Sequence, residues 1–426
     1  MKTAIVSLYA CLMVALGLLS MKRIRTPDDF LLGNRSLGPW MSAFAYGTTY
    51  FSAVLFIGYA GKVGWGFGLS SLWIVLGNAL VGTLLPWLVL AKPTREMTSR
   101  LKAATVPEFL EARYGSRALK VVAALIIFVF LVPYSASVYL GLTYLFEGVF
   151  NIPFVTALVG MAVLTGVYMV TGGYLAIALA DFIQGLIMLG GAALLVFFVV
   201  RHPAVGGMAE GVRRLAGISP GLVAAIPGNW IGLFSLVVLT SLGPWGLPQM
   251  LQKFYAIKDE RVIPRAAVVS TVFALVIAFA GYFTGSFSRL FFNNVMPAVG
   301  GKANPDLIMP QVIRTALPDA LSTLILLMVL AASMSTLASL VLVSSSAIAV
   351  DLFKGALIPS MSRSQVVFIM RTLCVVFISV SVYTALQPTL IVTLMSLSWG
   401  TIAGSFLAAY MYGLLWPRAN AAGAWA

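Results

Sequence analysis

Asp181 is the one acid of thirteen that falls well inside an apolar run. It follows Gly172-Gly173-Tyr174 in the stretch that ends Ala180-Asp181-Phe182-Ile183-Gln184. Eight residues after Gly173, it lies about 12 Å into a helix. A carboxylate at that depth reads as a step on a cation pathway. The competing reading is a helix-end acid solvated by a vestibule or paired with an arginine. A second group is a row of oxygens. Ala332, Ser335, Thr336 and Ser339 recur at i, i+3, i+4 and i+7 and share one helix face. That face offers a main-chain carbonyl and three hydroxyls, the all-oxygen set that a hard cation such as sodium takes. Small residues also let membrane helices pack closely, so the row alone leaves both uses open. His202 is the single histidine, and Cys11 and Cys374 stand far apart in apolar runs. No disulfide framework, transition-metal cage or histidine-based triad follows.

Two stretches are unsuited to unbroken helix. One runs Phe44-Ala45-Tyr46-Gly47-Thr48-Thr49-Tyr50-Phe51-Ser52-Ala53, where Gly, two Thr and Ser lower helix propensity and supply oxygens. The other runs Ser241-Leu242-Gly243-Pro244-Trp245-Gly246-Leu247-Pro248, where two prolines remove main-chain donors. Non-helical backbone at membrane depth survives only where protein or a water-lined cavity satisfies it.

That these stretches lie in a membrane follows from composition. Charged residues make up 9% of the 426, against about 25% in soluble proteins. Hydrophobic residues reach 60%, and mean hydropathy is +0.99. Too few charges are present to coat a soluble domain, and too many apolar residues for disorder. The chain reads as a polytopic all-α membrane protein, not an enzyme and not a nucleic-acid binder. The net charge of +14 is a signal of topology, because basic residues collect in cytoplasmic loops.

Eleven apolar runs are long enough to cross a bilayer of about 30 Å. They are 3–21, 38–61, 66–91, 118–150, 155–170, 174–200, 230–251, 266–291, 321–353, 366–386 and 389–416. The first is followed by Met21-Lys22-Arg23-Ile24-Arg25 rather than by a small-residue cleavage site, so it reads as a retained helix. With the N-terminus outside, nineteen of the 27 Lys+Arg fall in cytoplasmic loops, Lys253 and Lys258 among them. That bias sets the orientation, with the C-terminus cytoplasmic. In the loop 92–117, Pro107 followed by Glu108 and Glu111 reads as a short interfacial helix. Setting the first run aside, the two interrupted runs open two sets of five. Matched interruptions of this kind point to an inverted repeat with the binding site at the breaks. The expected organisation is 1–36 for the extra helix and basic loop, 37–227 and 228–418 for the repeats, and 419–426 for a tail.

Several stretches together resemble the sodium:solute symporter family, which includes bacterial proline and sialic acid transporters and the sodium–glucose transporters. They are Leu37-Gly38-Pro39-Trp40, Glu108-Phe109-Leu110-Glu111-Ala112-Arg113-Tyr114-Gly115, Thr171-Gly172-Gly173-Tyr174 through Gln184, and Met334-Ser335-Thr336-Leu337 with Ser344-Ser345-Ser346 and Asp351-Leu352-Phe353. The resemblance implies a leucine-transporter-like fold of five plus five helices behind one extra helix. It implies sodium held by the carbonyls of Thr48, Phe51 and Ala332 and the hydroxyls of Ser335 and Thr336. Some members have a second sodium site, which here would use Asp181 and Ser339, although Ala338 stands where such members place another Ser. The substrate would sit by the breaks near Tyr50, Ser52, Tyr134, Pro244 and Trp245. Tyr50 replaces an aspartate of the proline transporters, and Thr240 and Pro244 replace pocket aromatics, so proline specificity does not carry over.

The function expected is alternating-access uptake of a small organic solute, amino acid, carboxylate or sugar-like, driven by Na+ across a bacterial plasma membrane. Proton coupling through Asp181 and a transporter-like solute sensor are the alternatives. Basic and acidic side chains are expected in loops, with Asp181 the one buried charge. The end, Pro417-Arg418 to Ala426, resembles a loop that leads into a further helix in the family.

Overall fold

Apolar runs without access to water must close their main-chain hydrogen bonds internally, and helices do so within each segment. The computed structural model describes residues 2–21, 26–150, 152–299, 301–387 and 389–426. Among them, eight helices are long and apolar enough to cross a membrane, or nine if a bent pair is one span. Lys22, Arg23 and Arg25, expected on the cytoplasmic side, lie outside the described residues.

Helix α1 is Lys2–Met21. Helix α2, Pro39–Tyr50, starts with proline at its first position, where no main-chain donor is required. It stops at Phe51, whose backbone is extended (φ −111°, ψ 117°). The chain then re-enters helix through a π-helical turn, Val54–Tyr59, into α3, Ala60–Phe67. The break is bridged by hydroxyls. Ser52 Oγ accepts from Val54 N at 3.2 Å and Ser333 Oγ accepts from Ala53 N at 3.2 Å. These are the donors that a helix start leaves open.

The interfacial helix expected after Thr105 is α4, Val106–Tyr114. The Thr105 hydroxyl caps it by accepting from Glu108 N, and Gly115 closes it in the left-handed region at φ 68°. Helix α5 is Arg117–Phe150. Helix α6, Phe154–Arg201, is 48 residues long and is broken once, at Gly173 (φ 57°, ψ −171°). That conformation is open to glycine and strained for other residues. The separate runs 155–170 and 174–200 are therefore the two limbs of one kinked element.

The second interruption lies between α7, Trp230–Leu242, and α8, Pro248–Tyr255. Gly243–Trp245 forms a 3₁₀ turn, Leu247 is extended (φ −80°, ψ 119°), and the two helices bend by 41°. Pro244 and Pro248 each remove a donor at the bend. Four long helices follow: α9, Ile263–Ser286; α10, Asp319–Ser346; α11, Arg363–Ala385; and α12, Ile391–Leu415. Helix α10 packs on α6, α5 and α2, and the span it begins, Leu321–Leu357, has 89% of its most apolar window buried. A serine-rich helix in this central place can keep its hydroxyls only by bonding them to neighbours.

Two expectations about charge are corrected. Lys253 is not in a cytoplasmic loop: α8 carries it inward and it is 1% exposed. Asp181 is not the one buried acid, because Asp306 and Asp351 are buried as well. Asp351 Oδ1 accepts from Thr105 Oγ1 at 2.7 Å. Asp306 Oδ2 accepts from Ile391 N at 3.1 Å, at the start of α12.

Candidate functional site

The last turn of α2 and the middle of α10 meet oxygen to oxygen. Ser335 Oγ donates to the Thr48 carbonyl at 2.9 Å and lies 2.9 Å from the Ala332 carbonyl. Thr336 Oγ1 lies 3.3 Å from the Thr48 carbonyl, 3.2 Å from that of Thr49 and 3.1 Å from that of Ala332. The carbonyls are free to accept because each belongs to a helix turn that is interrupted or shared. Thr48 and Thr49 sit where α2 ends, so the residues four further on do not complete the ladder. Four of the five residues expected around sodium, namely Thr48, Ala332, Ser335 and Thr336, are thus within hydrogen-bonding distance of one another. The fifth, Phe51, sits at the break itself with its N–H donated to the Gly47 carbonyl at 3.3 Å. All five are buried. A knot of carbonyls and hydroxyls without a fixed charge fits a singly charged hard cation.

Ser339 continues the row one turn on. Its Oγ is 3.0 Å from Thr49 Oγ1 and accepts from Lys253 Nζ at 2.9 Å. Lys253 Nζ is 3.5 Å from Asp181 Oδ2 and 5.2 Å from the centre of the Tyr174 ring. The structure therefore links Asp181 and Ser339 through a lysine. Sequence reasoning missed this residue, since a basic side chain two positions past an apolar run reads as the start of a loop. No spacing rule ties it to Asp181, 72 positions earlier.

Beyond the break lies a cavity of about 20 Å³, room for roughly one water. Tyr50, Ser52 and Tyr134 line it, as expected, together with Asn78, Thr240 and Trp399. Pro244 and Trp245 do not line it. Both are buried in the second break, where Trp245 Nε1 donates to the Val81 carbonyl at 2.8 Å. Tyr50 OH donates to the Thr240 carbonyl at 2.5 Å, which ties the first broken helix to the second. The Trp399 ring stacks near Tyr50 (centroids 6.3 Å apart) and meets Tyr134 edge-on at 5.7 Å. Its buried Nε1 lies by the Tyr134 hydroxyl, which lines the same cavity. No Lys or Arg lines this space. Trp399 carried no signal in the sequence, because an aromatic residue in an apolar span is ordinary packing.

At the C-terminal end of α8, Leu37 N donates to the Ala256 carbonyl at 3.3 Å and Lys258 N to the Leu37 carbonyl at 3.1 Å. Arg35 adds bonds to the carbonyls of Tyr255 (3.0 Å) and Ala103 (2.8 Å). The entry to α2 and the exit from α8 are strapped together there.

The chain is similar to known transporters in sequence and in fold. A sequence model of the sodium:solute symporter family matches residues 30–426. The chain is 29% identical over 421 residues to the osmoregulated proline transporter OpuE of Bacillus subtilis, covering 98% of this chain and 84% of that one. It is 29% identical over 424 residues to a sodium/proline symporter of Salmonella typhimurium, covering 97% and 82%. A solved structure of a Na+-coupled sialic acid symporter, in a substrate-bound outward-open state, superposes with a TM-score of 0.84 at 20% identity, over 99% of this chain and 88% of that one. The last likeness is one of fold.

Proposed function

The chain belongs to the sodium:solute symporter family, and from that premise we propose that it couples one inward sodium to the uptake of a small amino-acid-like solute. It is an integral membrane protein that works by sodium-coupled symport. The observation that carries the reading is the knot of Ser335 and Thr336 against Thr48, Thr49 and Ala332. Sodium seated among these oxygens would hold the broken α2 against α10. That contact favours whichever state keeps the two together, and binding energy shifts the population toward it.

The fuller architecture is part of the proposal. Counting α2 with α3, the rod 72–89, the two limbs of α6, and α7 with α8 as crossings gives eleven. The two breaks then open two inverted sets of five, 37–227 and 228–418, behind 1–36 and ahead of 419–426. The N-terminus lies outside and the C-terminus in the cytoplasm, as the basic loops require.

The cavity supports a solute class. Its walls are aromatic faces and hydroxyls, without a basic side chain. A solute with a compact apolar body would pack against Trp399 and Tyr50, and an acceptor on it would share the Trp399 N–H with the Tyr134 hydroxyl. Proline, the solute named for the relatives above, has this form and is the first to test. The cavity is so small that bound solute must separate the Tyr50–Trp399 pair.

The test is uptake by the full chain in liposomes with sodium or choline outside at one pH. Radiolabelled proline, a neutral sugar and a monocarboxylate are compared. Sodium-dependent uptake of proline or another amino acid supports the reading. Uptake that follows a proton gradient and ignores sodium overturns it.

A further inference from the structure

Lys253 is a buried cation that transport as described above does not use. It reaches from α8, the inner half of the second broken helix, into the space between α6 and α10. Its ammonium touches Ser339 at 2.9 Å, Asp181 at 3.5 Å and the Tyr174 face at 5.2 Å. Asp181 Oδ2 stands 3.5 Å from the ammonium, the Thr48 hydroxyl lies beside the same carboxylate, and both carboxylate oxygens are buried. The carboxylate is thus met by one buried cation and by a hydroxyl of the residue whose carbonyl helps form the first site.

We propose that the Lys253 ammonium is a resident cation that fills the second ion position of the transport site, so that one sodium moves per cycle and removal of the ammonium opens that position to a second sodium. The proposal rests on the sodium reading above and adds the ion count to it. Three features carry it. The ammonium spans the oxygens of Asp181 and Ser339, the pair a second sodium would use. A sodium added beside it would set two positive charges against one carboxylate in a low-dielectric interior, where the repulsion is poorly screened. The ammonium is also two hydroxyls away from the first site, through Ser339 and then Thr49, whose carbonyl is bonded to Thr336. A tethered cation there does what a free ion cannot: it ties α8 permanently to the helices that hold sodium.

The experiment counts ions on the purified full chain. Stability is followed against sodium chloride, with choline chloride keeping ionic strength fixed. An ion that binds the folded chain adds stability in proportion to the logarithm of its concentration, so the limiting slope gives the number bound. The wild type is expected to show a slope of one ion and Lys253→Ala a slope of two. Lys253→Ala with Asp181→Asn is expected to return to one. A wild-type slope of two overturns the proposal, as does a Lys253→Ala slope that stays at one. If Lys253→Ala is not recovered folded, Lys253→Met with Asp181→Asn decides, since it removes both charges and keeps bulk. A one-ion slope supports the proposal, and loss of all sodium stabilisation overturns it. A flat response in the wild type is a different failure, because it overturns the sodium reading itself and the ion count with it.

Discussion

The Ser335 hydroxyl lies 2.9 Å from the Thr48 carbonyl, so a buried serine of α10 touches α2 one half-turn before its break. Neither group has water to fall back on. If the contact is a sodium site, removing one hydroxyl weakens the ion and leaves the helices otherwise in place. Ser335→Ala and Thr336→Ala are each expected to raise the half-saturating sodium concentration about 5- to 30-fold, the range that one or two kcal/mol of a charge-assisted contact supplies. Sodium titration of thermal stability and of uptake reads this directly. Unchanged values for both variants would remove the assignment.

Trp399 lines the cavity, with its buried N–H beside the Tyr134 hydroxyl. Trp399→Phe keeps an aromatic face and deletes that donor. The expected result is a five- to tenfold rise in solute KM, about 1 kcal/mol, with sodium affinity held within twofold. If KM stays put while stability falls, Trp399 is packing alone.

Much of the site was legible from sequence because its chemistry is written in local composition. Gly47, Thr48 and Thr49 weaken one span, Pro244 and Pro248 break another, and Ser335, Thr336 and Ser339 share a face set by the helical period. Each of these signals lies within one turn or two. Lys253 and Trp399 were missed because their meaning is tertiary. Lys253 gains it only when α8 turns inward at Pro248 and meets Asp181 on α6. Trp399 gains it only where its ring meets Tyr50 and Tyr134 across the cavity. The boundary between the runs 38–61 and 66–91 shows the same limit from the other side. Hydropathy separates the two runs only to within a few residues, and the backbone puts the turn at Gly68 (φ 57°).

Asp306 lies outside the spans, buried against the start of α12, and desolvation pushes its carboxyl up to about 6, partly opposed by the Ile391 N–H and by Lys62. A raised acid binds its proton more tightly in the folded chain than in the unfolded one. Stability from this group is therefore intact below about pH 4 and falls as pH rises toward 6, by about 3 kcal/mol at most. Asp306→Asn keeps an acceptor for Ile391 N and removes the charge. The difference in Tm between variant and wild type is expected to grow in the variant's favour from pH 4 to pH 6.5 and then level off. A difference that does not change with pH would show that Asp306 titrates as an exposed carboxyl.

Helices α3 and α9 cross at Gly64 and Gly285 with no room for a side chain. A Cβ on Gly285 would overlap the Ala60 carbonyl, and one on Gly64 would overlap the backbone at Gly285 and Ser286. Backbone atoms cannot step aside as a flexible side chain can, so the helices must part. Gly66, two residues along the same helix, would meet nothing within 4 Å. Gly→Ala has the same intrinsic helix benefit at both places, roughly 0.5–1 kcal/mol. Gly66→Ala is accordingly expected to leave Tm unchanged or raise it slightly. Gly285→Ala is expected to lose about 3 kcal/mol or more and, because α3 is the second half of the broken span, to lower uptake as well. Thermal unfolding of the two variants side by side isolates the crossing from propensity, and equal stability would mean that the helices can separate at this point without cost.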